Sequence, residues 1–200
     1  MSDSFAARLC AQYHTVQGEQ QHVMRRLQAT CGEMLADRGY ARVQHYEESQ
    51  HVSSGALLFM SGGGRSGGGA DVDVYLCMED RVGVRVGRAL VDANKECNHC
   101  ILVVSTDGPT PCTRKEFEGS IQFILAKELC YNVTRHGLVP RHEAVGEDAL
   151  PPGCLVDQLP RILDTDPVVR YYDWPVGTII RIERVYVGSE VIPFFRCVSK

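Results

Sequence analysis

A chain of 200 residues with 44% apolar side chains suits one large domain or two small ones, each with a real core. Its formal charge of -4, with no run of Lys or Arg longer than two, argues against a dedicated nucleic-acid binder. No apolar stretch approaches the roughly 20 residues needed to cross a bilayer, so no membrane partner is expected.

Residues 1–16 read as a short extension with some helical character. Met1–Phe5 lacks the basic region followed by an apolar one that marks a secretory signal. Val23, Met24, Leu27, Cys31, Met34 and Leu35 recur at helical spacing and predict an amphipathic helix from Gly18 to Arg38, stopped by Gly39. Residues 40–46 alternate like a strand. Residues 61–69, Ser-Gly-Gly-Gly-Arg-Ser-Gly-Gly-Gly, read as a flexible surface loop; a phosphate cradle needs Gly-Lys-Ser/Thr opening a helix, and here a strand follows. Asp71–Met78 and Arg81–Arg85 read as strands, Val86–Glu96 as a helix, and His99–Ser105 as an apolar strand covered on both sides. Asp107–Pro111 is a turn, Cys112–Glu118 a short helix, and Ile121–Leu125 and Leu129–Thr134 two more strands. This order predicts an α/β domain with a mixed sheet. Further on, Asp166 before Pro167 has the pattern of a capping carboxylate with proline at the first helical position. Val168, Val169, Tyr171 and Tyr172 give that helix an apolar side. Gly177 ends the next turn, and Thr178–Glu183 is a β-branched strand.

Nine cysteines at irregular spacing, without a signal peptide, suggest a reducing compartment and mostly small buried thiols. Cys97 and Cys100 form a single Cys-x-x-Cys pair; a structural zinc site wants four ligands, which His99 and Cys112 would complete only through favourable folding. A redox role would want the pair at a helix N-terminus, and here it follows a helix. Asp71 and Asp73 raise a metal-dependent nuclease, but the next segment supplies no acid–lysine pair, so both read as strand-edge residues. His136 and His142 read as hydrogen-bonded structural residues.

Residues 158–172, Gln-Leu-Pro-Arg-Ile-Leu-Asp-Thr-Asp-Pro-Val-Val-Arg-Tyr-Tyr, would by pattern alone be an ordinary helix–turn–strand lead-in. Residue by residue they resemble the C-terminal signature of the fifth subunit shared by nuclear RNA polymerases, a family that includes its smaller archaeal polymerase counterpart. Leu159, Pro160, Arg161, Ile162, Asp166, Pro167, Val168, Arg170 and Tyr171 fall in register. Residues 128–142, with Leu138-Val-Pro140 and His142, and residues 100–112 are similar to the same family. The likeness runs from about residue 22 to 200 and is weak at 45–70.

The resemblance implies an N-terminal α/β jaw domain with a nuclease-like mixed sheet over 1–138, and a small α+β assembly domain over 139–200. It further implies a non-catalytic component of DNA-directed RNA polymerase, present in one copy per complex, without a cofactor or metal, and located in the nucleus. Its partners would be the largest polymerase subunit and downstream duplex DNA, contacted without sequence preference. On the family pattern, Thr110, Pro111, Arg114 and Lys115 would lie near DNA, where a rigid proline ring can press on sugars and cations can meet phosphates; the alternative is a plain turn followed by a solvated helix face. Pro140, His142, Leu159, Pro160, Arg161, Asp166, Pro167, Arg170 and Tyr171 would serve the subunit interface. Replacing Arg161 and Tyr171 together should then weaken incorporation.

The sequence departs from the family before residue 158, where Pro151, Pro152 and Gly153 replace a charged helix. It departs again at 172–177, where basic residues are missing, and at 186–196. These departures suggest a version fitted to one polymerase, with polymerase I and hence the nucleolus as the guess. A nuclease using Asp71 and Asp73, or a free protein-interaction adaptor, are the alternative functions.

Overall fold

The structure is a computed structural model that describes residues 2–12, 20–40, 43–45, 51–52, 55–61, 70–77, 79–95, 99–185 and 191–200. Residues 62–69 of the glycine-rich loop, and Cys97, lie outside the described residues. The chain divides into two compact units, Met1–Tyr131 and Asn132–Lys200. The division falls earlier than residue 138. The 3-10 turn Val133–Arg135 packs on the second unit's helix, and Asn132 Nδ2 donates to the Tyr171 hydroxyl at 3.0 Å.

The first unit opens with helix α1, Ser2–Gln12, and helix α2, Gln20–Asp37. α1 is more than an extension: Phe5 and Leu9, one turn apart, are fully buried, as are Leu27, Cys31, Met34 and Leu35 of α2. At the end of α2, Gly39 takes φ 90°. Its N–H donates to Ala36 O at 2.9 Å and that of Tyr40 to Leu35 O at 3.1 Å, the paired bonds of a Schellman stop. Arg38 is buried and donates to Gln122 Oε1 at 2.7 Å.

The sheet contains β1 (Val43–His45), β2 (His51–Val52), β3 (Gly55–Ser61), β4 (Val72–Cys77), β5 (Cys100–Ser105) and β6 (Ile121–Leu125). Its order is β1-β3-β4-β5-β6, with β2 beside β3. β3 and β4 are antiparallel and β4, β5 and β6 parallel, so the sheet is mixed. The parallel neighbours are linked through helices α3, Val84–Asn94, and α4, Pro111–Glu116, as parallel strands require. Every residue of β4 is buried, Asp73 included, as expected of a strand covered on both faces. One side chain set, Tyr75, Cys77, Ile101, Val103 and Ile121, packs with Val82, Val86, Leu90 and Phe117.

Two expected strands are absent. Arg81–Arg85 is the approach to α3, whose apolar period begins at Val84; only Val82 makes an isolated bridge, to Pro109. Leu129–Thr134 is covered by the 3-10 turns Ala126–Leu129 and Val133–Arg135. Asn132 breaks the run by accepting from Thr134 N–H at 2.9 Å with its own side chain, a local bond that competes with a sheet ladder.

The second unit is a four-stranded sheet of order β7-β9-β10-β8. Its strands are β7 (Arg141–Val145), β8 (Arg161–Leu163), β9 (Ile179–Val185) and β10 (Val191–Ser199), with helix α5, Pro167–Tyr172, between β8 and β9. β8 runs parallel to β10; the other pairs are antiparallel. On one face Ile162, Val169, Ile180, Ile182 and Val198 pack with Trp174. On the other, Leu159, Ile179 and Cys197 pack with Leu150, Cys154, Val156 and Phe195. The α+β expectation fits. The charged helix that the sequence lacks is replaced by 3-10 turns Glu147–Ala149 and Val156–Gln158; Leu150 and Cys154 between them, with Val156, cover the sheet.

Candidate interaction surfaces

The edge of the first unit built around Thr110 is an orderly helix start. Thr110 is extended, its hydroxyl accepts from Thr113 N–H at 3.3 Å and lies 2.8 Å from the Thr113 hydroxyl, and Pro111 occupies the first helical position. Gly108, at φ 78°, makes the turn that precedes it. Pro111, Arg114 and Lys115 are exposed. Arg114 N–H donates to Thr110 O at 2.9 Å, so Arg114 stands one helical turn above Thr110 and Lys115 one above Pro111. The structure brings these four residues together. The cap itself was open to sequence reading, because Thr110-Pro111 has the same pattern as Asp166-Pro167.

In the second unit the predicted interface residues separate into support and surface. Asp166 caps α5, its Oδ1 accepting from Val168 N–H at 2.8 Å and Val169 N–H at 3.4 Å, with Pro167 next. Leu159 is 6% and Tyr171 4% exposed. Side chains so covered hold the unit from within, so substituting Tyr171 would test folding rather than docking. Arg161, Pro160 and Pro167 are exposed. Arg161 Nη2 reaches Asp157 O at 3.5 Å, and its carbonyl accepts from Arg196 Nη1 at 3.0 Å. Pro140, His142 and Arg170 are half-buried; His142 Nδ1–H donates to Pro140 O at 2.7 Å, and His136 Nδ1 accepts from Leu138 N–H at 3.2 Å.

Asp71 directly precedes β4 and Asp73 is its second residue, at the start of a strand that lies between β3 and β5. Asp73 is 6% exposed, and its Oδ2 lies 3.1 Å from His99 Nδ1; Asp71 Oδ2 lies 3.8 Å from His99 Nε2. The imidazole thus stands between two carboxylates, with its nitrogens facing different ones, and among the described residues no group of three such side chains converges on a point that would hold a metal. Cys100 and Cys112 are both exposed thiols. Burial pushes the Cys31 thiol up to about 12, against a smaller opposing pull from Arg38. It also raises Cys77 and Cys130.

Exposed apolar side chains mark the second unit. Among the residues of 1–131 whose side chains are described, Tyr131 is the one large apolar side chain that is exposed. The second unit exposes Leu155, Leu163, Val176, Val191, Ile192 and Phe194, among others. Spacing alone did not separate these from core positions, because alternation in a short strand does not say which face is covered.

Fold and surface together define a two-unit protein, with an α/β unit and an α+β unit that exposes apolar side chains suited to protein contact. Residues 131–198 match the family model for the RNA polymerase Rpb5 C-terminal domain, and the chain is 31% identical over 177 residues to "DNA-directed RNA polymerases I, II, and III subunit rpabc1" of Dictyostelium discoideum, covering 79% of this chain and 88% of that one. The chain belongs to the Rpb5 family of RNA polymerase subunits. It is also 31% identical over 123 residues to "DNA-directed RNA polymerases I, II, and III subunit RPABC1" of Caenorhabditis briggsae, across 56% of this chain. It spans 58% of the length of that relative. "DNA-directed RNA polymerases IV and V subunit 5B" of Arabidopsis thaliana is 27% identical over 192 residues, across 85% of this chain and 87% of its own.

Proposed function

We propose that the chain is an accessory, non-catalytic subunit of a nuclear DNA-dependent RNA polymerase. In this reading the second unit docks on the largest subunit and the first forms part of the jaw facing downstream duplex DNA. The observation that carries it is the set of exposed apolar side chains on the second unit. A protein interface needs apolar anchors that desolvate on contact. The second unit has them, whereas a sequence-independent DNA contact needs cations and a rigid backbone, which Thr110, Pro111, Arg114 and Lys115 supply.

Which polymerase it serves is a finer matter. The Dictyostelium and Caenorhabditis relatives are named for polymerases I, II and III together, which speaks for a shared subunit and gives polymerase I no preference. The Arabidopsis relative, named for polymerases IV and V, supports the existence of polymerase-restricted members in the family, and the departures at 146–153 and 172–177 are where such restriction would act.

The test is tagged purification from native extract with mass spectrometry of retained proteins. Three largest subunits mean a shared component, and one means a dedicated component. Replacing exposed Leu163 and Ile192 by Asp should abolish retention while the variant stays folded. Retention of polymerase subunits by that variant at the wild-type level would remove the docking assignment.

A further inference from the structure

Arg81 is expected from sequence in a strand, but it lies in an exposed loop fastened to the Thr110 turn. Asp107 N–H donates to Asp80 O at 3.2 Å, Val82 N–H to Gly108 O at 3.0 Å, and Thr110 N–H to Val82 O at 3.1 Å. The Thr106 hydroxyl adds a bond to Asp80 O at 3.3 Å. These bonds tie residues 80–82 to 106–110 around the isolated bridge of Val82, which is 0% exposed. Val82 is buried, and exposed Arg81 precedes it beside the turn that leads to Pro111. Arg114 and Lys115 are exposed on the helix that the same turn begins.

The surrounding carboxylates are largely occupied. Asp80 is held by Arg8 at 2.5 Å, Glu116 by Arg88 at 2.7 Å, and Glu79 faces Arg85 at 3.9 Å. Among the described residues no ion pair engages Arg81, Arg114 or Lys115, and all three are exposed. Three exposed cations without an ion-pair partner among the described residues, beside one rigid turn, fit a polyanion.

We propose that Arg81 is a further phosphate-contacting residue, which completes with Arg114 and Lys115 a three-cation seat for the sugar–phosphate backbone of duplex DNA. This rests on the reading of the first unit as the DNA-facing jaw and adds to it a residue from a different segment of the chain. Each phosphate neutralised releases counterions, so three contacts give a slope of about -2.7 in log affinity against log salt, at about 0.9 per contact.

The experiment is fluorescence anisotropy of a labelled duplex titrated with the full-length chain across a salt series, on two unrelated sequences. Arg81→Gln should make the slope shallower by about one and weaken binding severalfold at low salt, equally on both duplexes. Arg88→Gln, whose guanidinium is held by Glu116, should leave the slope unchanged. Arg81→Gln with a wild-type slope overturns the proposal; if Arg114→Gln and Lys115→Gln still lower it, the DNA-facing reading survives without Arg81. A wild-type chain that ignores duplex, or prefers an acidic peptide, overturns the phosphate seat altogether. Retention of polymerase subunits in the purification is independent of this binding, so failure here does not count against membership in the complex.

Discussion

Asp166→Ala isolates the local device that holds the second unit's only α-helix among the described residues. α5 has six residues, far below the length at which a helix persists alone in water, so its formation depends on the cap and on the burial of Val168, Val169 and Tyr171. Losing the capping oxygen costs about 1 kcal/mol. Removing a carboxylate from the helix N-terminus adds roughly 0.5 kcal/mol. A total of about 1.5 kcal/mol should lower the melting temperature by roughly 6–12 °C for a unit of this size. The chain's single tryptophan reports it directly, because Trp174 stacks on Tyr172 at 4.5 Å between ring centroids, just past α5. Thermal unfolding followed by its fluorescence should show the full loss for Asp166→Ala. Asp166→Asn, which keeps an acceptor, should show only the smaller charge component. Equal shifts for the two variants, or none for alanine, would refute the cap as the stabilising feature.

Other expectations concern packing, backbone and thiols. Gly87→Ala improves helix propensity but would drive its Cβ into the Phe117 ring, so it should destabilise the first unit by about 1–3 kcal/mol in urea unfolding. Asp173 ends α5 at φ 57°, a left-handed conformation that Asp tolerates and a β-branched residue does not; Asp173→Val should lower the urea midpoint, by about 1–2 kcal/mol of stability. Iodoacetamide at neutral pH should label Cys100 and Cys112 and spare Cys31, as read by peptide mass spectrometry. Since the Cys31 thiol is raised from 9.0 to about 12 in the fold, its contribution to stability is complete below pH 9 and is lost as pH rises toward 12; Cys31→Ser should flatten that part of an alkaline unfolding curve.

Sequence alone determined the features whose cause is local. The Asp166-Pro167 cap, the Gly39 stop of α2, the β-branched β9 and the apolar β5 were legible because a few adjacent residues carry their signal. The family signature at 158–172 was likewise legible in the linear order of residues. Tertiary structure decided what depends on partners far along the chain. Residues 129–134 look like a strand by propensity, yet side-chain bonds and packing turn them into 3-10 turns. Phe5 and Leu9 give little periodic signal over a short helix, and it is the packing of α1 against α2 and the rest of the unit that makes them core. Tyr171 and Leu159 belong to the signature as much as Arg161 does. Burial separates the side chains that shape the second unit from those that face outward, and in the same way the hydrogen bonds between residues 80–82 and 106–110 bring Arg81 close to Thr110 in the fold.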